Sequence, residues 1–220
     1  MDALRKTFEQ ELKDLEEQVM AMGITVMEML KRAMQAYKKE DGKLIEEVIK
    51  LDDTVDKYNL EIETQCLQLL ATQQPMARDL RFIASTMRII SDIERMGDYT
   101  VDVAKFARRL IGLPKLSFTN AIPEMGDLVM QMLKETLEAL STKDLGLIVK
   151  MIEDDNRVDA ALRDMFDKVL SEIERNPKAA REAIYMLLMA RYLERVADHI
   201  TNVGERIHYS ETGEMKELHA

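Results

Sequence analysis

Ten apolar residues, Leu4, Phe8, Leu12, Leu15, Val19, Met22, Val26, Met29, Ala33 and Tyr37, recur in steps of three and four from the start of the chain. Only a helix turns that spacing into one continuous face, and a helix this long can bury such a face only against other helices. Lys38-Lys39-Glu40-Asp41-Gly42 ends the stripe with a turn signal. A second stripe, Leu44, Val48, Leu51, Val55, Tyr58, Ile62 and Leu69, stops at Gln73-Gln74-Pro75, where Pro75 suits the first turn of a new helix. A third, Leu80, Ile83, Met87 and Ile90, meets Glu94 and Gly97 before resuming at Val101 and Ala104.

The longest break, Gly112-Leu113-Pro114-Lys115 through Thr119-Asn120, sits near the midpoint, and the plan then repeats. Helices are expected from about Pro123 to Leu140, from about Lys143 to Arg175, and from after Asn176-Pro177 to about Tyr209. Short turns between long helices make neighbours antiparallel. The expected fold is therefore all-α, six long antiparallel helices in two tandem repeated three-helix bundles related by a pseudo-twofold operation. Residues 1–111 form the first repeat, 112–121 a linker, 122–212 the second repeat and 213–220 a C-terminal tail.

Composition agrees. Only 8 glycines and 4 prolines interrupt 220 residues, aromatics are 5% and Trp is absent, so helices are favoured over strands. The 17 methionines suit irregular gaps between helices. A net charge of −10 speaks against nucleic acid as a partner. Cys66 stands alone, which excludes an internal disulfide and suits a reducing cytosol. Met1-Asp2-Ala3-Leu4-Arg5-Lys6 runs straight into charged helical sequence, so no signal peptide is expected. The most apolar segment, Ala183 to Ala190, is too short to span a bilayer. The expectation is a cytoplasmic protein that reaches membranes only through a partner.

Two blocks repeat at an offset of 100: Ile93-Glu94-Arg95-Met96-Gly97-Asp98 through Asp102-Val103, and Leu193-Glu194-Arg195-Val196-Ala197-Asp198 through Asn202-Val203. Each stacks three oxygen-bearing side chains at i, i+4 and i+8 on one helical face. Chance alone gives about 7 to 8 acidic pairs four apart in so acidic a chain, so spacing is a weak signal. Position strengthens it. Glu94 falls where the stripe asks for a hydrophobe, and Glu194 follows a run apolar on every side. Counting outward from the turns near Gln74 and Pro177, Asp52 and Asp56 come level with Asp98 and Glu94. Asp155 and Asp159 likewise come level with Asp198 and Glu194.

So many like charges repel unless a cation lies between them. With oxygen ligands only, the expected ions are iron, manganese, magnesium or calcium, divalent or trivalent, with zinc less usual. The competing reading is a solvated acidic face paired to Arg95, Arg195, Arg88 and Arg191. A ferritin-like di-metal protein would need Glu-x-x-His, but Gly97 and Ala197 stand three residues after Glu94 and Glu194, and His199 lies off that face. His208 and His219 are read as exposed residues in or near the tail. A purely structural helical adaptor is the other alternative. No P-loop, dinucleotide fingerprint or activated nucleophile is visible, so no enzymatic activity is expected.

Gln74-Pro75-Met76-Ala77-Arg78-Asp79-Leu80-Arg81, followed by Glu94-Arg95-Met96-Gly97-Asp98 and by Leu193-Glu194-Arg195-Val196-Ala197-Asp198-His199, resembles the PhoU family. The resemblance covers essentially the whole chain. It implies two three-helix bundles whose acidic motifs bind metal ions or clusters, here Asp52, Asp56, Glu94, Asp98 and Asp102, then Asp155, Asp159, Glu194, Asp198 and Asn202. It also implies negative regulation of the phosphate regulon, between a phosphate-specific ABC transporter and a membrane sensor histidine kinase. A homodimer is compatible with it. The second half departs from the pattern: Lys178-Ala179-Ala180-Arg181 lacks the Asp-Leu-Arg element and Asn202 replaces an acid. A weaker or smaller second metal site is therefore expected.

Overall fold

A computed structural model describes the backbone of residues 2–215 and the side chains of residues 5–215. His219 and residues 216–220 of the tail lie outside the described residues. Among the described residues six helices run in order: α1 Asp2–Lys39, α2 Gly42–Gln73, α3 Ala77–Leu110, α4 Ala121–Thr142, α5 Leu145–Arg175 and α6 Ala180–Thr212. One 3₁₀ turn, Pro177–Ala179, precedes α6. Among the described residues there is no strand, and no helix is long and apolar enough to cross a membrane.

Local chemistry explains the ends. Asp41 and Asp144 cap α2 and α5, their carboxylates accepting from Lys43 N–H at 2.9 Å and Gly146 N–H at 2.8 Å. Lys143 closes α4 in a left-handed conformation, its N–H on Ala139 O at 2.8 Å. Pro75 lies outside α3 rather than in its first turn. A residue before proline is steered away from the right-handed helical region. Gln74 accordingly takes φ +47, Met76 is extended, and α3 begins only at Ala77. Glu94 and Gly97 do not interrupt α3, because each stays within its hydrogen-bonded turn.

The apolar stripes become one core. Leu15, Met22, Met29, Ile45, Ile62, Ile83, Ile90 and Ile93 are at most 1% exposed, each such burial contributing about 1.5–3 kcal/mol against the unfolded chain. Within each half all three helices touch one another. Between halves, α3 packs along α6 and α1 packs on α4, whereas α2 and α5 flank the molecule without meeting. Exchanging the halves leaves this contact pattern unchanged, as a pseudo-twofold relation requires.

Residue equivalences show how strict that relation is. The offset is 100 for α3 and α6 but 103 for α1/α4 and α2/α5: the buried series Ile45, Val48, Val55, Ile62 and Cys66 matches Ile148, Met151, Val158, Met165 and Val169. The three extra residues fall at the turn around Pro75. On the α1–α4 crossing, Gly23 receives Leu137 and Gly126 receives Met34, two contacts that exchange under the same offset. A Cβ at Gly126 would collide with Met34 Sδ and stand 2.8 Å from Met34 Cγ. Glycine is what lets these two helices close. Charge is less conservative than shape. Arg32 on α1 pairs with Glu47 on α2, while at the equivalent places Glu135 on α4 pairs with Lys150 on α5.

Candidate functional site

Each half sets the second and third of its helices side by side, and the acidic motifs line that seam. Gly97 governs the first seam. A Cβ there would stand 3.1 Å from Asp52 Oδ1 and 3.5 Å from Val55 Cγ1, so the Asp52 carboxylate lies almost against the bare backbone of α3. Burial pushes the Asp52 carboxyl up to about 6, and the negative charges of Asp56, Asp98, Asp53 and Glu94 add to it. Burial also raises Glu94, with Asp98 and Asp56 adding and Arg95 and His199 opposing. Asp52, Asp56, Glu94 and Asp98 therefore form one interacting set. Asp102, one turn further along α3, accepts from Lys105 at 3.2 Å.

The second seam repeats the plan. Glu194 is 8% exposed, and its Oε2 is sealed from solvent without a hydrogen-bond partner. Burial raises its carboxyl, Asp198 and Asp159 add, and Arg191 and Arg195 oppose. Asp155, the equivalent of Asp52, sits half-buried one turn before Asp159 on α5. Asn202 reaches across to the other half, donating its amide to Asp92 Oδ1 at 3.2 Å.

Arginines share both seams. Arg95 lies 2.9 Å from Asp98 and 3.5 Å from Glu94, Arg195 lies 3.4 Å from Asp198, and Arg191 hydrogen-bonds Glu194. Arg88 makes no ion pair among the described residues. Among the described residues, no three His, Cys, Asp or Glu side chains converge closely enough, as they stand, to hold one ion. The donor set still suits a hard cation: every ligand is oxygen, neighbouring negative charge raises the carboxyls of Asp52, Glu94 and Glu194, and Glu194 keeps a buried oxygen with no partner.

Two participants escaped the sequence reading. Asp92 on α3 holds His199 Nδ1 at 2.8 Å as well as Asn202, joining the halves beside the acidic faces. The ring of His199 also lies 5.6 Å from that of Tyr99. Under the offset of 100, Asp92 matches Tyr192 and His199 matches Tyr99, and those two tyrosines stack at 6.0 Å. The same crossing is thus polar on one side of the pseudo-axis and aromatic on the other. The signal available was Asp92 itself, two residues before Glu94, but comparing the repeats sets it opposite a tyrosine and hides it.

The raised Asp52 carboxyl carries a stability prediction. A carboxyl that holds its proton more tightly when folded stabilises the fold below its unfolded value near 4 and loses that contribution as pH rises through about 6. Asp52→Asn should therefore match the wild type at pH 4 and, in chelator, exceed it at neutral pH by about 1 kcal/mol once solvent screening is allowed for. Melting curves at both pH values, in EDTA, check this. Equal stability at neutral pH would contradict the crowding of charge described here.

The PhoU domain family matches the chain twice, over residues 19–107 and 122–207. A Clostridium acetobutylicum protein named phosphate-specific transport system accessory protein PhoU homolog is 34% identical over 215 residues, 97% of this chain and 98% of its own length. The Aquifex aeolicus protein of the same name is 35% identical over 185 residues, 84% of each chain. Among solved structures, PhoU from Pseudomonas aeruginosa superposes with a TM-score of 0.90 at 28% identity, covering 94% of this chain and 100% of that one. The phosphate transport system regulatory protein PhoU from Streptococcus pneumoniae does so at 0.88 and 29%, covering 95% and 99%.

Proposed function

The chain belongs to the PhoU family, and from that membership we propose that it restrains phosphate uptake and the phosphate regulon in the cytoplasm. In this reading it acts between a phosphate-specific ABC transporter and a sensor histidine kinase, without catalysing a reaction. The observation that carries the proposal is the double domain match, which falls on the two three-helix halves, together with accessory-protein relatives aligned along nearly the full chain. Broad helical faces on an acidic body suit docking to basic partner surfaces.

The acidic seams are proposed as metal faces. Asp52, Asp56, Glu94 and Asp98 would hold cations on the first, with Asp102 next along α3. Asp155, Asp159, Glu194 and Asp198 would do so on the second, with Asn202 next along α6. Bound cations supply positive charge that relieves mutual repulsion and ties α2 to α3 and α5 to α6. Iron, manganese, magnesium and calcium fit the oxygen donors best. Until a cation arrives, the arginines supply part of that charge.

The regulatory role has a genetic test. Deleting the gene should leave a phosphate-starvation reporter such as alkaline phosphatase highly expressed in phosphate-rich medium. Normal repression in a deletion strain lacking a second copy would refute the role.

A further inference from the structure

Where the end of α3 and the start of α6 meet the segment joining the halves, there is a cavity of about 620 Å³, counting the part open to solvent. The duplication provides its control. The equivalent place in the other half, between the end of α4, the end of α6 and the start of α3, holds only about 240 Å³ in the same measure. The two linings differ at matched positions. Phe82, Leu140 and Ile207 line the small cavity, and at the matching positions of the large one stand Glu182, Tyr37 and Ala107. An aromatic plug is thus replaced by a carboxylate, and an isoleucine by an alanine. Where one half sets Phe82 and Ile207, the other leaves Glu182 and Ala107.

Two opposite charges border the space without meeting. Glu182, in the first turn of α6, makes no hydrogen bond or ion pair among the described residues, and its Oε2 is sealed from solvent. The α6 dipole favours its charge but brings no donor to that oxygen. Lys38, in the last turn of α1, is exposed and also has no ion pair among the described residues. The other charged pair of the lining is already satisfied. Lys115 lies 3.1 Å from Glu40, whose second oxygen accepts from Gly112 N–H at 3.1 Å. Leu113, Pro114 and Met186 contribute apolar wall.

A ligand that completes such a lining carries separated opposite charges on a small aliphatic body. We propose that this cavity binds a small zwitterion of the amino-acid class. Its ammonium donates to Glu182, its anionic end faces Lys38, and its aliphatic part lies against Leu113, Pro114 and Met186. Because α1, α3, α4, α6 and the joining segment all contribute to the lining, an occupant bridges the two halves.

The test screens the full-length protein against each standard amino acid at millimolar concentration by thermal shift, and follows any hit by calorimetry. At least one should bind, and binding should weaken by about tenfold or more in Glu182→Gln. A second variant, Glu182→Phe with Ala107→Ile, installs the side chains the other half already carries. It should bind no amino acid and melt above the wild type. The proposal is overturned if no amino acid binds the wild type, if a hit binds both variants undiminished, or if inorganic phosphate alone occupies the site.

Discussion

Gly126→Ala should lower stability by about 1–3 kcal/mol, and Gly23→Ala by a similar amount, although alanine is the better helix former at both places. The reason is the α1–α4 crossing. Each glycine is the floor on which a side chain of the other helix rests, Met34 on Gly126 and Leu137 on Gly23. Met34 is 2% exposed and Leu137 5%, so neither can swing into solvent to make room. The added methyl must push the helices apart or force a strained rotamer. For a chain of this size each kcal/mol moves the melting temperature by about 2–4 °C. Rescue separates this cause from a general loss. Gly126→Ala combined with Met34→Ala should be less destabilised than the sum of the two single changes, whereas unrelated defects would add. Additive melts across that cycle would show that the glycine contact does not set the crossing.

Replacing Glu94 and Asp98 with alanine should empty the first of the two proposed metal faces and leave the second loaded, and Glu194→Ala with Asp198→Ala should do the reverse. Independence is expected because α2 and α5 never touch and each seam gathers its own carboxylates. Without metal, either double change should alter stability little. The lost pairs with Arg95 and Arg195 are partly exposed and contribute at most about 1 kcal/mol each; the second double change also removes the pair of Arg191 with the buried Glu194, and in both seams relief of like-charge crowding offsets the loss. Elemental analysis of protein purified without chelator reads the result. Metal content unchanged by the first double substitution would show that the ligands lie elsewhere.

Helix number, helix order and the repeat were legible in the sequence because burial writes a period of 3.6 into the chain and glycine and proline mark its breaks. The stripe through Val19, Met22 and Val26 is an instance: the residues it selects are buried. Which helix covers which was not legible. Periodicity reports that a face is buried and not what buries it, so nothing in α3 alone announced α6 as its partner. The repeat was visible where chemistry was retained, at Glu94 and Glu194 and at the aspartate pairs Asp52/Asp56 and Asp155/Asp159. In α1 and α4 shape was kept while identity changed, as with Arg32 and Glu135, and the offset of 103 could not be seen there. Asp92 was missed, and His199 set aside as off the ligand face, for the same reason. Their roles come from a contact between halves, and their repeat equivalents are tyrosines.

The reversed ion pairs have a bearing on how a duplicated chain finds its own partners. Two similar halves invite exchange, with α1 settling on α5 or α4 on α2, and such misassembly is a common hazard of repeated sequences. In a chain that paired α1 with α5 at the equivalent level, Arg32 would meet Lys150. The opposite error would bring Glu135 against Glu47. Both mistakes place like charges together, while both correct pairings place opposites together. The charges of these four residues therefore favour each helix's cognate partner over its near copy.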